Sequence, residues 1–408
     1  MACALVVGCS NSAAAPAVDA AVSTDAPADV VVSVDAPTVA DVPRDVVPDV
    51  PFVVAAHDPL PQVPNAGGTI LAHPRIVPIT YDDDPYRDTM EAHLRWLVGS
   101  DWLRTVGAEY GVGEGSVLGV LHRAGNAPDR ITSPQIAAAI AAGINDGTLP
   151  MGPDGTLADV LYIAYYPAHT TIVEPGVGGT VMSCVNDGGY HSESVARAGR
   201  FAYAVIPTCP VPVAFASLTQ VEVRENAVSH EIIEAATDAL PATAPAWTIP
   251  RDSDSPWTRI GGEVGDLCAL TLHVVRDQGF IAQRVFSNAA AALGDRDPCI
   301  PADPAHVFET VSVTPDAVQT VDPGGTATFT LHAWTTAPAP PFAVATFASG
   351  SFMPQVTVDT TSLSNGGTAT LTVTVPATAP ARGSATVYVY ASRSRSDYEI
   401  VPVVVAVP

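Results

Sequence analysis

Residues 229–238, Ser-His-Glu-Ile-Ile-Glu-Ala-Ala-Thr-Asp, form the segment that decides the predicted fold. Apolar residues recur around the polar ones at helical spacing, which predicts a helix over residues 219–238. His230 and Glu234 are four residues apart, so a helix places both on one face with about 5–6 Å between their Cβ atoms. That distance suits two ligands of one metal ion. Because buried carboxylates need a partner, the apolar flanks favour a bound cation.

The spacing matches the H-E-x-x-H signature of zinc metalloproteases, with glutamate in place of the second histidine. We therefore predict that His230 and Glu234 bind zinc and that Glu231 is the catalytic base that accepts a proton from water. A catalytic zinc site needs a third protein ligand. The candidates are Glu263 and Asp266, in the downstream segment Gly-Gly-Glu-Val-Gly-Asp-Leu-Cys, and, as second choice, His191 in an upstream glycine-rich loop.

The acidic residues also have interpretations other than zinc. A helical His-Glu-x-x-Glu pattern is also compatible with a solvated, charged helix face. Calcium is the alternative cation, and Asp82-Asp83-Asp84 and Asp252-Ser253-Asp254 offer oxygen ligands for it. Neither stretch follows EF-hand spacing, so solvated acidic turns are the preferred interpretation of both.

Composition excludes two classes of partner. The chain has 408 residues, with 42 acidic and 18 basic side chains and a formal net charge of −24. Binding to nucleic acid, or to anionic lipid headgroups, needs clustered positive charge, and the sequence contains no such cluster. No apolar run reaches the roughly 20 residues of a membrane-spanning helix.

The N-terminal sequence indicates export. Residues 1–9 end in Leu5-Val6-Val7-Gly8-Cys9, which is typical of a truncated lipoprotein signal and predicts lipidation of Cys9. Residues 10–65 are rich in proline, alanine and aspartate and predict a disordered, extended tether. We expect an outer-membrane or cell-surface lipoprotein, or a secreted protein, that meets a membrane only through this lipid anchor.

Four further cysteines lie in the middle of the chain. In an exported protein they are expected to form two disulfides, and the sequence alone leaves three pairings open. These cysteines are Cys184, Cys209, Cys268 and Cys299.

Two folded domains are predicted. Residues 66–304 mix helical and strand patterns, which indicates an α+β domain of zincin-like fold. It includes a helix over residues 84–106 and a strand over residues 161–166, our candidate for an edge strand that would align a peptide. Residues 305–408 alternate apolar and polar residues between turn signals and predict an all-β immunoglobulin-like sandwich.

Residues 66–302 resemble the exordium-like, phosphate-induced protein family of plants and its bacterial relatives. The family's His-Glu-Leu-Ala-Glu helix and later Glu-Ile-Gly-Asp-Leu-Cys stretch match residues 230–234 and 263–268. Gly189-Tyr190-His191 and Cys209-Pro210 also match, whereas Ala239 replaces the family's usual proline. The resemblance implies a secreted, cell-wall-associated protein with disulfides Cys184–Cys209 and Cys268–Cys299.

Two functions follow from these patterns. The first is a surface-anchored zinc metallopeptidase that hydrolyses a peptide or protein substrate. The second is a non-catalytic cell-surface or cell-wall-associated module, in which the metal or a hydrogen-bonded carboxylate cluster braces the fold.

Overall fold

The computed structural model describes residues 51–176, 179–185, 187–212, 215–269, 273–394 and 397–408. The predicted lipobox and tether residues 10–50 lie outside this part of the chain. The first half of the described chain contains, in order, β1 (Arg75–Tyr81), α1 (Arg87–Gly99), α2 (Asp101–Gly107), β2 (Ser116–Val117), β3 (Leu121–Arg123), β4 (Arg130–Thr132), α3 (Ser133–Asp146), β5 (Val160–Tyr166), β6 (Thr171–Gly176), β7 (Gly179–Met182), β8 (Tyr190–Ala196), β9 (Gly199–Pro207), α4 (Gln220–Thr237), β10 (Val275–Asp277), β11 (Phe280–Ala282), β12 (Val285–Phe286), α5 (Asn288–Leu293) and β13 (Cys299–Ile300).

A mixed sheet with strand order β2–β1–β5–β9–β8 lies at the centre of the part that ends at residue 300. β3 also pairs with β1, and β8 is the antiparallel strand at one end of the order. The prediction that residues 161–166 form an edge strand is wrong, because β5 pairs in parallel with β1 on one side and β9 on the other. All seven residues of β5 are buried. An uninterrupted apolar run is typical of such an interior parallel strand.

Helices cover both faces of the sheet, because alternate residues of β5 point to opposite sides. Leu161 and Ile163 pack into one core with α1, α2 and α4, whereas Tyr162 and Ala164 pack into the other with α3. The single helix predicted over residues 84–106 is two helices, since Ser100 ends α1 and caps α2 by accepting a hydrogen bond from the Leu103 N–H. Within the described residues, no helix combines the length and hydrophobicity needed to cross a bilayer.

The helix α4 agrees with the prediction over residues 219–238. Thr219 and Glu222 form a capping box at its start, where each side chain accepts a hydrogen bond from the other residue's backbone N–H. Its second half is buried on every side, including the apolar Ile232, Ile233 and Ala236. α4 lies against β8, β9 and β11.

The end of the predicted tether is packed onto the protein instead. Val63 is fully buried in the core around α4, and the His57 ring stacks on Trp334 with 3.9 Å between ring centroids. The backbone N–H of Ala55 donates to Asn365 Oδ1 at 3.0 Å. The prediction of a disordered linker is therefore wrong for residues 54–65. Their proline-rich composition does not prevent specific contacts.

The remaining residues form two antiparallel sheets around a common apolar core, which confirms the predicted all-β character. Val311, Leu371 and Val387 are fully or almost fully buried in that core. One sheet has the order β14–β16–β20–β18, and the other β15–β22–β21–β17–β19, with a short parallel pairing of β15 and β22. The strands are β14 (Glu309–Thr314), β15 (Gln319–Thr320), β16 (Thr326–Thr335), β17 (Phe342–Gly350), β18 (Gln355–Val358), β19 (Ser362–Leu363), β20 (Thr368–Thr374), β21 (Ser384–Ser394) and β22 (Asp397–Ala406).

Candidate metal centre

Every residue predicted for the metal site lies in one buried group beside α4. α4 contributes three of them, β8 contributes one, and the segment after α4 contributes two. We call this group the buried cluster; its members are His191, His230, Glu231, Glu234, Glu263 and Asp266, each no more than 5% exposed.

Three ligand atoms meet on the side of α4 that faces Asp266. His230 Nε2 lies 3.2 Å from Glu234 Oε1 and 3.9 Å from Asp266 Oδ1. Zinc binds such atoms at about 2.0–2.2 Å, which puts neighbouring ligands of a tetrahedral site about 3.3–3.6 Å apart. These residues, the cavity-side triad, therefore have the spacing to hold a metal ion.

A second set of atoms meets around His191. Its Nδ1 lies 3.5 Å from Glu234 Oε2, and its Nε2 lies 3.7 Å from Glu263 Oε2. These two contacts involve different ring nitrogens, and only one of them could bind a given ion. One ligand atom each from His191, Glu234 and Glu263, the inner triad, lie within 4.8 Å of one another, which is close enough for one ion. Glu263 and His191, alternatives for one ligand position in the sequence, thus belong to a set distinct from the one that contains Asp266.

The close approaches within the buried cluster are not hydrogen bonds. Both ring nitrogens of His191, His230 Nε2 and Glu234 Oε1 are buried with no hydrogen-bond partner, as are Glu231 Oε2 and Glu263 Oε2. A buried polar atom without a partner costs about 1–3 kcal/mol, and more when it is charged. A cation among these atoms would satisfy them, so their arrangement fits a metal ion.

Gln283, which no sequence pattern singled out, orients His230. Gln283 Nε2 donates to the Gly265 carbonyl at 2.7 Å, so the other end of its amide, Oε1, faces His230 Nδ1 at 3.1 Å. In the neutral ring that can bind a metal ion, His230 Nδ1 therefore carries the proton, and Nε2 presents its lone pair to the cavity-side triad. Partners of this kind fix the ring orientation of metal-binding histidines. Glutamine has no spacing rule that would have revealed this role.

Burial and neighbouring charges shift the pKa values of the cluster in the metal-free chain. Burial alone would lower the pKa of His191 and His230, but the surrounding carboxylates outweigh it and raise both well above the usual value. Burial raises the pKa of Glu263 and Asp266 well above the usual range. For Glu234 the two imidazoles outweigh burial and lower its pKa to about 2.

The loop that carries Glu263 and Asp266 approaches α4 closely. A Cβ at Gly265 would lie 2.7 Å from Glu234 Oε1, and one at Gly261 would lie 1.9 Å from the Asp266 carboxylate, so a side chain at either position would displace a carboxylate of the cluster. Asp266 Oδ2 accepts the Glu263 backbone N–H at 3.0 Å, which ties the two acids together.

Two disulfides hold the segments that carry the site. Cys268–Cys299 joins the end of the acidic loop to β13, and Cys184–Cys209 joins the glycine-rich loop before β8 to the segment after β9. Both predicted pairings are confirmed. Because disulfides persist in oxidising compartments, they indicate an extracellular or surface protein.

A cavity of about 110 Å³ adjoins the cluster. His230, Glu231 and Asp266 line it, together with apolar side chains such as Val223 and Phe215, whereas the residues of the inner triad do not. Burial raises the pKa of Glu231, the expected direction for a carboxylate that accepts a proton near neutral pH.

The first acidic stretch considered for calcium has other partners. Asp84 forms a buried, two-pronged ion pair with Arg224, with Oδ1–Nη1 and Oδ2–Nη2 distances of 3.0 and 2.7 Å. Asp83 accepts the Ala127 backbone N–H, and Asp82 accepts that of Gly125. Asp83 and Asp84 are therefore tied to neighbouring segments, whereas Asp82 is exposed, as expected for a solvated acidic turn. Asp252 and Asp254 are exposed, as expected for a solvated turn.

No protein-family model and no curated protein matches the chain. Among solved structures, domains 4 and 5 of the S-layer protein SbsC match at 21% identity and a TM-score of 0.19, covering 25% of this chain and 53% of that one. The chain thus spans about half of that structure. A nucleoside hydrolase-related hypothetical protein from Saccharophagus degradans matches at 10% identity and a TM-score of 0.27, covering 82% of this chain and 100% of that one. WR4, a C. elegans MSP family member, matches at 11% identity and a TM-score of 0.18, covering 24% of this chain and 97% of that one.

Proposed function

We propose that the chain is an extracytoplasmic zinc metallopeptidase whose ion is held by the cavity-side triad. The observation that carries this proposal is the position of Glu231. It extends from the same helix as His230 and Glu234, lines the same cavity as His230 and Asp266, and leaves its Oε2 without a hydrogen-bond partner. A base next to a cation site, at the wall of a cavity, is the arrangement that metal-dependent peptide hydrolysis uses.

The side chains have separate roles in the reaction. When bound, zinc would supply a Lewis acid that polarises the peptide carbonyl and lowers the pKa of water. Glu231 accepts a proton from the attacking water and donates it to the leaving amine, so the base is regenerated when the C–N bond breaks. Gln283 holds His230 in the tautomer with a free Nε2.

The proposal also covers the fold family, the second domain and the mode of attachment. We assign residues 66–304 to a zincin-like fold of the exordium-like family and residues 305–408 to an immunoglobulin-like module. Two disulfides support export, and the lipobox-like sequence supports attachment through a lipid on Cys9. Calcium is a weaker candidate than zinc, because imidazole nitrogens suit zinc whereas calcium prefers oxygen ligands alone.

The test compares Glu231→Gln with Glu225→Gln, after purification without chelators. Glu225 is a buried glutamate of the same helix, and its Oε2 accepts the Ile281 N–H at 3.1 Å, away from the buried cluster. We expect Glu231→Gln to retain zinc and to hydrolyse a peptide library about 10²–10⁴-fold more slowly, the usual contribution of a general base. Glu225→Gln should retain both zinc and activity. Equal hydrolysis by wild type and Glu231→Gln would refute the assignment.

One observation favours the non-catalytic alternative. The inner triad is buried away from the cavity, with the His191, Glu234 and Glu263 side chains at most 3% exposed, as expected of a bracing site. If zinc-loaded wild-type protein hydrolyses no member of the library while zinc removal lowers its melting temperature, the structural role replaces the catalytic one.

A further inference from the structure

The two carboxylate oxygens of Glu234 face different imidazoles. Oε1 lies 3.2 Å from His230 Nε2, and Oε2 lies 3.5 Å from His191 Nδ1. A carboxylate that binds a single ion through both oxygens would turn both toward one position. Glu234 instead presents one oxygen to each side, which is the geometry of a carboxylate shared by two cations.

Each side of Glu234 has a complete donor set. The cavity-side triad adds the imidazole of His230 and the carboxylate of Asp266, and the inner triad adds the imidazole of His191 and the carboxylate of Glu263. Among the described residues, these two groups share Glu234 and no other member. One ion at either position therefore leaves an imidazole and a carboxylate of the other set without a partner.

Charge balance leads to the same result. The buried cluster contains four carboxylates, and its two imidazoles are neutral when they bind metal. One divalent cation compensates two of the four negative charges, whereas two cations compensate all four. In the metal-free chain protons take the place of the cations, but neither ring nitrogen of His191 has hydrogen-bond geometry with a described residue.

We infer that the site is dinuclear: Glu234 bridges one divalent transition-metal ion held by His230 and Asp266 at the cavity and a second held by His191 and Glu263 behind it. This inference rests on the metal centre of the proposed function, but it does not require peptide hydrolysis. Ions in two-metal sites are about 3.5–4 Å apart, a separation that one carboxylate can span.

Metal stoichiometry tests the inference with two pairs of substitutions. Stripped protein is dialysed against Zn²⁺, and zinc per chain is measured by mass spectrometry. We expect two ions for wild type and for Glu225→Gln, and one ion for His191→Asn/Glu263→Gln. The matched pair His230→Asn/Asp266→Asn should also retain one ion, at the inner position. Wild type that saturates at one ion, or a His191→Asn/Glu263→Gln variant that retains two, would overturn the inference.

A measurement on wild type keeps the test independent of how the variants fold. X-ray absorption at the zinc edge should show a zinc–zinc distance of about 3.5–4 Å at two ions per chain and none at one ion. Two bound ions without that distance would disprove the Glu234 bridge. If wild type binds one ion and His230→Asn loses it, the proposed peptidase stands and the dinuclear site is refuted. If two bridged ions are bound but no peptide is hydrolysed, the dinuclear site stands and the peptidase is refuted. If no zinc is bound, both proposals are refuted.

Discussion

Replacing Gln283 by leucine should weaken zinc binding without a direct change to any ligand. The side chain is 1% exposed, and its amide links the Gly265 carbonyl, at 2.7 Å, to His230 Nδ1, at 3.1 Å. Leucine has a similar size but neither a donor nor an acceptor. The substitution therefore frees the His230 ring to rotate or change tautomer and removes a tie to the acidic loop.

The expected magnitude follows from the two hydrogen bonds that leucine cannot form. Partners that orient metal ligands typically contribute 10–100-fold to metal affinity, which corresponds to about 1.4–2.8 kcal/mol. Gln283 orients one ligand directly and holds the loop that carries two others, so we expect a loss toward the upper end of that range. His230 Nδ1 is also left without its buried partner, which should lower the free energy of unfolding of the metal-free chain by about 1–3 kcal/mol, whereas the Gly265 carbonyl keeps its hydrogen bond from the Cys268 N–H.

Gln220→Leu is the matched control. Gln220 makes the same two kinds of hydrogen bond, because its Nε2 donates to the Cys209 carbonyl at 3.0 Å and its Oε1 accepts from the Tyr86 hydroxyl at 2.9 Å. It contacts no member of the buried cluster through these bonds. Zinc affinity is measured by competition with a chromophoric chelator, and stability by urea unfolding with zinc removed. Wild-type zinc affinity in Gln283→Leu, or an equal loss in Gln220→Leu, would refute the orienting role.

Three further changes should give measurable effects. Arg224→Met leaves Asp84 buried without its ion-pair partner and should cost about 3–5 kcal/mol in urea unfolding, whereas Arg276→Met, which breaks a surface pair, should cost less than about 1 kcal/mol. Burial lowers the pKa of His93 from 6.5 to about 4, so the unfolded chain binds more protons between these values. Stability should therefore fall by about 3 kcal/mol as the pH drops from 6.5 to 4, and His93→Gln should remove that part of the pH dependence. Zinc must displace the proton that burial places on Glu263, so zinc affinity in calorimetry should increase with pH and protons should be released.

The helical part of the site was predictable because its geometry is local. The i, i+4 spacing of His230 and Glu234 fixes their relation within one helix turn, and the structure places both in the cavity-side triad as expected. The third ligand was not predictable in the same way. Its position depends on how the loop at Gly265 approaches α4, and the sequence gives no distance across that contact.

Two of the three errors in the fold have different causes. An edge position for residues 161–166 was the wrong prediction, because their unbroken apolar run is typical of a central strand. The edge position belongs to β8 at the end of the strand order, and its partly exposed polar residues between Tyr190 and Ala196 are typical of an edge strand. The predicted tether reaches residue 65 on composition alone, and composition contains no information about a single stacking contact such as that of His57 on Trp334.

The energetics of the buried cluster connect its disulfide-held loop to its proposed metals. Each buried charge costs several kcal/mol, whereas a whole domain is stable by only about 5–15 kcal/mol. Four carboxylates beside one helix must therefore be neutralised where they lie, by protons or by cations. Protons can neutralise Glu263 and Asp266 but cannot hold the loop against α4, because the two acids would then lose their attraction to the imidazoles. The Cys268–Cys299 bridge to β13 and the Gln283 hydrogen bond to the Gly265 carbonyl restrain the loop without charge, so the site can stay assembled while the cations are absent. When the site is already assembled, metal binding orders less of the chain and loses less conformational entropy, so the metal affinity is higher.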